Sequence, residues 1–75
     1  MAYTIKGLAK ANECEQNIYG LADQWLYWYT CDVNDKQSIN DFKRLRKADK
    51  HEMLCFLRSE PFYSELYNHI INNII

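Results

Sequence analysis

The strongest constraint on the fold is an apolar stripe that repeats at helical spacing in the first half of the chain. Its members, at intervals of four, three, four and three residues, are Cys14, Ile18, Leu21, Trp25 and Trp28. Such intervals place side chains on one face of an α-helix. The sequence therefore predicts a long helix over residues 13–29. Gly20 lies inside it, where glycine costs roughly 1 kcal/mol relative to alanine, so we expect another helix to cross closely there.

Shorter helices are predicted on either side of this segment. Residues 2–5 could be extended, or could lead into a short helix that has Thr4 as its N-cap and carries Leu8 and Ala9. Residues 32–37 are polar and predict a connection. Ser38-Ile39-Asn40-Asp41 resembles a capping box, which indicates that a helix with an apolar stripe and a basic side covers residues 39–48.

Two further helix starts follow. Asp49-Lys50-His51-Glu52 has the pattern of a cap, and Pro61 suits a first helical turn. Two glycines and one proline leave little material for strands joined by tight turns. We therefore expect an all-α fold, a compact bundle of four or five short helices that forms a single domain over residues 1–75.

Size and cysteine content bound the class of protein. A 75-residue chain buries only about 60% of its unfolded surface, so association into a homo-oligomer is plausible. Three widely spaced cysteines do not form a secreted disulfide framework. Lys6 and Lys10 interrupt any signal peptide, and the longest apolar run, residues 25–29, is too short to cross a membrane. The expectation is a cytoplasmic protein without membrane contact.

Motifs for catalysis and cofactor binding are weak. The two glycines stand apart, so no phosphate-binding loop is indicated, and no serine sits in a nucleophile elbow. His51 and Cys55 lie four residues apart, with His69 as a third possible ligand, whereas structural zinc needs four ligands. We expect no enzyme, cofactor or metal site, with Cys55 as a small buried apolar residue and His51 at the surface.

A basic segment interrupts an otherwise acidic chain. Residues 43–50 hold five cations against one anion, although the whole chain has a net charge of −1. The candidate contact residues in it are Lys43, Arg44, Arg46 and Lys47. They could bind nucleic-acid phosphates or an acidic protein, or simply form the solvated side of an amphipathic helix.

The N-terminal region offers a second possible link to DNA. Residues 4–11 (TIKGLAKA) followed by 16–19 (QNIY) resemble the opening of helix-turn-helix repressors and excisionases, in which a short helix precedes a recognition helix. The resemblance covers about a quarter of the chain and implies DNA binding. The sequence departs from the pattern at Glu13, which replaces the turn glycine, and at Glu15, an anion where phosphates would lie.

The aromatic run is the most informative feature for function. Five consecutive helical residues, 25–29, span more than one turn, so they cannot all face one core. The alternative is that large rings fill a small interior. Because Trp and Tyr dominate interface hot spots, we select Trp25, Tyr27, Trp28 and Tyr29 as candidate partner contacts. Tyr27 is the best of them, since it lies farthest from the apolar stripe.

Two functional hypotheses result. The first is a small non-enzymatic protein that binds a larger macromolecular complex and inhibits or modulates it, of the accessory or anti-defence type found in phages and other mobile elements. Its partner would be a protein. The second is a dimeric DNA-binding transcriptional regulator that uses the N-terminal helix pair or the basic helix at 39–48.

Overall fold

Five α-helices and one short 3-10 turn make up most of the chain. A computed structural model describes residues 2–31 and 35–74. The helices are α1 (Ile5–Ala11), α2 (Ile18–Cys31), α3 (Asp35–Arg44), α4 (Lys47–Ser59) and α5 (Ser64–Ile74), with a 3-10 turn at Pro61–Tyr63. Of the described residues, 83% are helical, and these residues contain no strand. The predicted all-α bundle of short helices is confirmed, with five helices.

Helix α1 is held at its N-terminus by two side-chain acceptors. Thr4 Oγ1 accepts a hydrogen bond from Gly7 N at 2.9 Å, as predicted for its cap. Asp49 accepts from Ile5 N at 2.6 Å, across 44 residues of sequence. The prediction that Asp49 opens the helix that follows it is wrong, because α4 already begins at Lys47. Its carboxylate instead satisfies a free N–H at the start of α1.

The predicted basic helix at 39–48 is interrupted. Tyr3 N donates to Arg44 O, and Arg46 N donates to Tyr3 O, each at 2.8 Å. These bonds form an isolated parallel bridge between Tyr3 and Leu45. The prediction of one continuous helix is wrong, because pairing with the N-terminal segment supplies the backbone partners that a helix would otherwise provide.

Helix α2 starts later than its apolar stripe predicts. Glu13 adopts a left-handed backbone (φ 58°), and Asn17 Oδ1 accepts from Gly20 N at 2.8 Å in the first turn of the helix. A Cβ atom at Gly20 would lie 2.1 Å from the Glu15 carbonyl oxygen. The glycine is thus required by the turn before its own helix, and the predicted crossing of another helix is not the reason for it.

Helix α3 also differs from prediction, because its supposed cap is internal. The helix begins at Asp35, so Ser38 and Asp41 lie within it and are buried. The predicted capping box is therefore wrong. Of the predicted polar connection at 32–37, residues 35–37 are helical and residues 32–34 lie outside the described residues.

Asp41 is a buried hydrogen-bond acceptor shared by three parts of the fold. It accepts from Asn12 Nδ2 at 2.8 Å, from Gln37 Nε2 at 2.9 Å and from Trp25 Nε1 at 3.3 Å. Arg44 lies 3.5 Å from it in an ion pair. These donors compensate the cost of burying a carboxylate, and they tie α2 and the end of α1 to α3.

All five helices contribute to one apolar core. Its buried members are Ile5, Leu8, Ala9, Leu21, Ala22, Trp25, Ile39, Phe42, Leu45, Met53, Leu57, Tyr63, Leu66 and Ile70. None of the helices in the described residues is long and apolar enough to cross a membrane.

Candidate functional surface

The predicted aromatic contacts divide between the core and the surface. Trp25 is 0% exposed, and its ring meets Phe42 edge-on at a centroid distance of 6.3 Å. Its enclosed ring has no surface to offer a partner, so we remove Trp25 from the candidate contacts. Trp28 and Tyr29 are half-buried against the core, and the Tyr29 ring lies 4.8 Å from that of His69. Only Tyr27, at 60% exposed, points outward from this run.

Three large apolar side chains are exposed among the described residues, and they lie on neighbouring elements. Tyr19 is 57% exposed, Tyr27 is 60% exposed and Phe62 is 72% exposed. Tyr19, Asp23 and Tyr27 follow one another at intervals of four, which places them on one face of α2. Phe62 lies beside this face on the 3-10 turn. We call these four residues the α2 aromatic face.

A buried tyrosine supports the α2 aromatic face from below. The Tyr63 hydroxyl donates a hydrogen bond to the Asp23 carboxylate. Its ring is 5.1 Å from that of Phe62 and 5.3 Å from that of Phe56, which in turn meets Tyr19 edge-on at 5.0 Å. This chain of rings joins α2, α4 and the 3-10 turn. The exposed rings of Tyr19 and Phe62 therefore rest on packed side chains, and Tyr27 lies on the same helix face as Tyr19.

Tyr27 and Phe62 are among the residues that line an open groove of about 560 Å³ between α2 and the start of α5. Its lining residues are Asp23, Leu26, Tyr27, Thr30, Phe62 and Glu65. The lining is mainly apolar with a few polar groups, as in many binding sites. We call this cavity the α2–α5 groove.

The residues that line the α2–α5 groove carry a net negative charge. Asp23 and Glu65 contribute carboxylates, and none of the lining residues is basic. The pKa of the adjacent Tyr63 is raised by burial, by its hydrogen bond to Asp23, and by the charges of Asp23 and Glu60. Burial disfavours any charge on Tyr63, whereas the carboxylates of Asp23 and Glu65 themselves disfavour a further anion in the groove and favour a cation.

The predicted basic contacts do not share this surface, and two of them hold the fold together. Arg44 pairs with Asp41 and lies over the Tyr3 ring, 4.6 Å from its centroid. Arg46 Nε donates to Asp49 at 2.6 Å. Lys43 and Lys47 are exposed beside them. Because α4 rises about 18 Å from its basic start to the 3-10 turn, the cations and the α2 aromatic face lie near opposite ends of α4.

The possible metal ligands form one pair. Cys55 Sγ lies 3.6 Å from His51 Nε2. The prediction that Cys55 is buried is wrong, because it lies on the exposed side of α4. His69 is on α5 against Tyr29. Across residues 2–31 and 35–74, no group of three or more His, Cys, Asp or Glu side chains is placed to hold a metal ion.

Sequence reasoning did not select Tyr19, Asp23, Phe62 or Glu65 as contacts. A usable signal existed for part of this set, since Tyr19, Asp23 and Tyr27 recur at helical spacing away from the apolar stripe. Phe62 gave no such signal, because its position depends on how the 3-10 turn packs against α2. Comparison with protein-family models, with curated protein sequences and with solved structures finds no significant match to this chain.

Proposed function

We propose that this chain is a small non-enzymatic binding protein that attaches to a larger protein through the α2 aromatic face and thereby inhibits or modulates it. The observation that carries this proposal is the exposure of Tyr19, Tyr27 and Phe62 on neighbouring elements, with Tyr19 and Phe62 packed against Phe56 and Tyr63. Contiguous exposed apolar area marks interaction sites. Rings that are already held in place lose little conformational entropy when a partner covers them.

The size of the molecule supports a mechanism of occlusion. A standard interface covers about 800 Å² on each partner, roughly a sixth of the 4860 Å² accessible surface of this chain. One side of a body measuring 25 × 22 × 20 Å could therefore supply a full interface. The rest of the body would block a neighbouring site on the partner or keep a third component away.

Several features support an intracellular setting for this role. The described cysteines Cys14, Cys31 and Cys55 are all free thiols, which suits a reducing compartment such as the cytoplasm. A small helical chain that exposes an aromatic face suits an accessory or anti-defence protein of a phage or other mobile element. Pairing of two copies through exposed rings is compatible with this proposal.

DNA binding is the competing proposal, and the geometry favours it less. The exposed face of α2, the helix that would read the duplex, carries Asp23 between two tyrosines. The basic segment is divided between two helices, and Arg44 and Arg46 are engaged within the fold. If DNA is nevertheless the partner, affinity for duplex DNA will fall steeply with salt and will depend on Lys43 and Lys47.

The proposal is tested by capture from the native host with matched variants. A tagged wild-type protein, a Tyr27→Ala/Phe62→Ala variant and a control with Lys6→Ala/Glu52→Ala are expressed at equal levels. Lys6 and Glu52 are exposed on other helices. We expect the wild type and the control to retain the same partner protein and the aromatic variant to lose it.

Circular dichroism shows whether the aromatic variant keeps its fold. Reconstitution with the purified partner then gives the affinity, which should fall at least tenfold in that variant, because two anchors are removed from one interface. Retention of the partner by a folded Tyr27→Ala/Phe62→Ala variant would refute the proposal.

A further inference from the structure

The α2–α5 groove combines aromatic walls with carboxylates but holds no cation of its own. Tyr27 and Phe62 are largely exposed at its edge, and Asp23 and Glu65 line it together with Leu26 and Thr30. An aromatic ring attracts a cation over its face, and the attraction grows where water is excluded. A carboxylate within hydrogen-bond reach adds a charge-assisted bond.

The same molecule already contains a completed example of this arrangement. The Arg44 guanidinium lies over the Tyr3 ring at 4.6 Å and pairs with the buried Asp41 carboxylate at 3.5 Å. Aromatic face and carboxylate together hold one guanidinium there. The groove offers the same two kinds of group, aromatic rings and carboxylates.

We infer that the α2–α5 groove binds a basic side chain, preferably arginine, from an apolar and basic segment of the partner protein. This inference rests on the proposed function and adds the chemistry of the partner to it. Arginine is preferred over lysine because its planar guanidinium can stack on a ring while it forms two parallel bonds to a carboxylate. Apolar neighbours of that arginine would cover Leu26 and the exposed face of Phe62.

Charge complementarity separates this occupant from the alternatives. An acidic or phosphorylated segment would meet Asp23 and Glu65 in a groove whose lining has no cation. A neutral apolar segment would leave those carboxylates partly desolvated without a partner, which costs free energy. A basic segment is favoured because it neutralises both and also uses the aromatic walls.

The test uses two acetylated and amidated hexapeptides of alternating residues, one of arginine and leucine and one of citrulline and leucine. Citrulline keeps the shape of arginine without its charge. Titration into 15N-labelled full-length protein at low salt gives the affinities and the residues affected. We expect the arginine peptide to shift the signals of Tyr27, Phe62 and Glu65, to bind at least about tenfold more tightly than the citrulline peptide, and to weaken as salt is added.

The decisive variant is Glu65→Gln, with Glu52→Gln on α4 as the matched control. Both residues are exposed glutamates on helices, but only Glu65 lines the groove. Glu65→Gln should weaken the arginine peptide at least about threefold, and Glu52→Gln should leave its affinity unchanged. Asp23→Asn is a second variant, whose effect on the Tyr63 hydrogen bond is followed by thermal unfolding.

Equal binding of both peptides, no binding of the arginine peptide, or binding that Glu65→Gln leaves unchanged would each overturn the inference. Self-association of the protein that is lost in Glu65→Gln would also overturn it, since the occupant would then be a second copy. The proposed function fails on a different readout, namely partner capture that does not require Tyr27 and Phe62. The host partner could be lost by the Tyr27→Ala/Phe62→Ala variant and still bind Glu65→Gln at full affinity. That result would support the proposed function and overturn only the inference about the basic segment.

Discussion

Replacement of Asp41 by alanine should destabilise the fold more than any surface change. The carboxylate is fully buried and accepts hydrogen bonds from Asn12, Gln37 and Trp25, with Arg44 in an ion pair. Truncation would leave those donors facing an apolar cavity. An unsatisfied buried polar group costs about 1–3 kcal/mol, and loss of one partner of a buried charge pair costs about 3–5 kcal/mol. Because Arg44 is partly exposed and can regain water, we expect a loss of about 3–4 kcal/mol in the free energy of unfolding.

That loss would be a large part of the stability available to a domain of this size, about 4–11 kcal/mol at 0.05–0.15 kcal/mol per residue. Urea unfolding followed by tryptophan fluorescence measures it and also reports on Trp25, whose indole N–H is bonded to Asp41. Asp41→Asn is the isosteric variant, and it should also destabilise, because its amide N–H₂ would face donors. Glu52→Ala, at an exposed position of α4, is the control. A loss below about 1 kcal/mol in Asp41→Ala would refute the assignment of Asp41 as the shared acceptor of the core.

Three further predictions concern other sites. Burial acts to raise the pKa of Asp49, but the hydrogen bond and charge of Arg46 and the hydrogen bond from Ile5 N lower this pKa overall. The ionised Asp49 therefore stabilises the fold above its unfolded pKa of about 3.9, and this stabilisation is lost as the pH falls through the folded pKa. Unfolding free energies at pH 7 and pH 3 should therefore differ less in Asp49→Asn than in the wild type, and an equal difference would contradict this reasoning. Gly20→Ala should lower the free energy of unfolding in urea by about 1–3 kcal/mol, because the added Cβ would clash with the Glu15 carbonyl oxygen. Alanine is normally preferred to glycine within a helix, so a stabilised variant would exclude that contact. Tyr27→Ala should change the thermal midpoint little, since surface changes usually fall within about 0.5 kcal/mol, and a variant that unfolds would show that the ring supports the core.

Helix capping shows how far local sequence reasoning reached in this protein. Residue type and position allowed Thr4 to be an N-cap or part of an extended segment, and its hydroxyl does accept a hydrogen bond from Gly7 N. The same reasoning failed at Ser38–Asp41, where Asp stands in place of the usual Glu at the fourth position of the capping box. A cap pattern states only that a side chain can accept hydrogen bonds. Whether the donor is in the next turn or in another helix is decided by packing, as it was for Asp41 and Asp49.

The aromatic run illustrates the same limit for the functional surface. Counting residues per turn was enough to predict that residues 25–29 could not all be buried, and Tyr27 was correctly placed outside. The sequence could not show that Phe62 from another segment would stand beside Tyr27, or that Asp23 and Glu65 would line the groove between them. Those neighbours depend on how α2, the 3-10 turn and α5 meet.

The sequence by itself determined an all-α fold, because the spacing of apolar residues and the scarcity of glycine and proline act locally and along one helix at a time. Only the tertiary structure decided which hydrogen-bond and ion-pair partners the polar side chains have. In the folded protein, Asp41 is buried and accepts a hydrogen bond from Trp25, and Asp49 accepts one from the first residue of α1. The bridge between Tyr3 and Leu45 separates the basic segment into two helices. The physical reason is that a hydrogen bond or an ion pair depends on a partner that is distant in sequence, whereas helical periodicity depends only on neighbours.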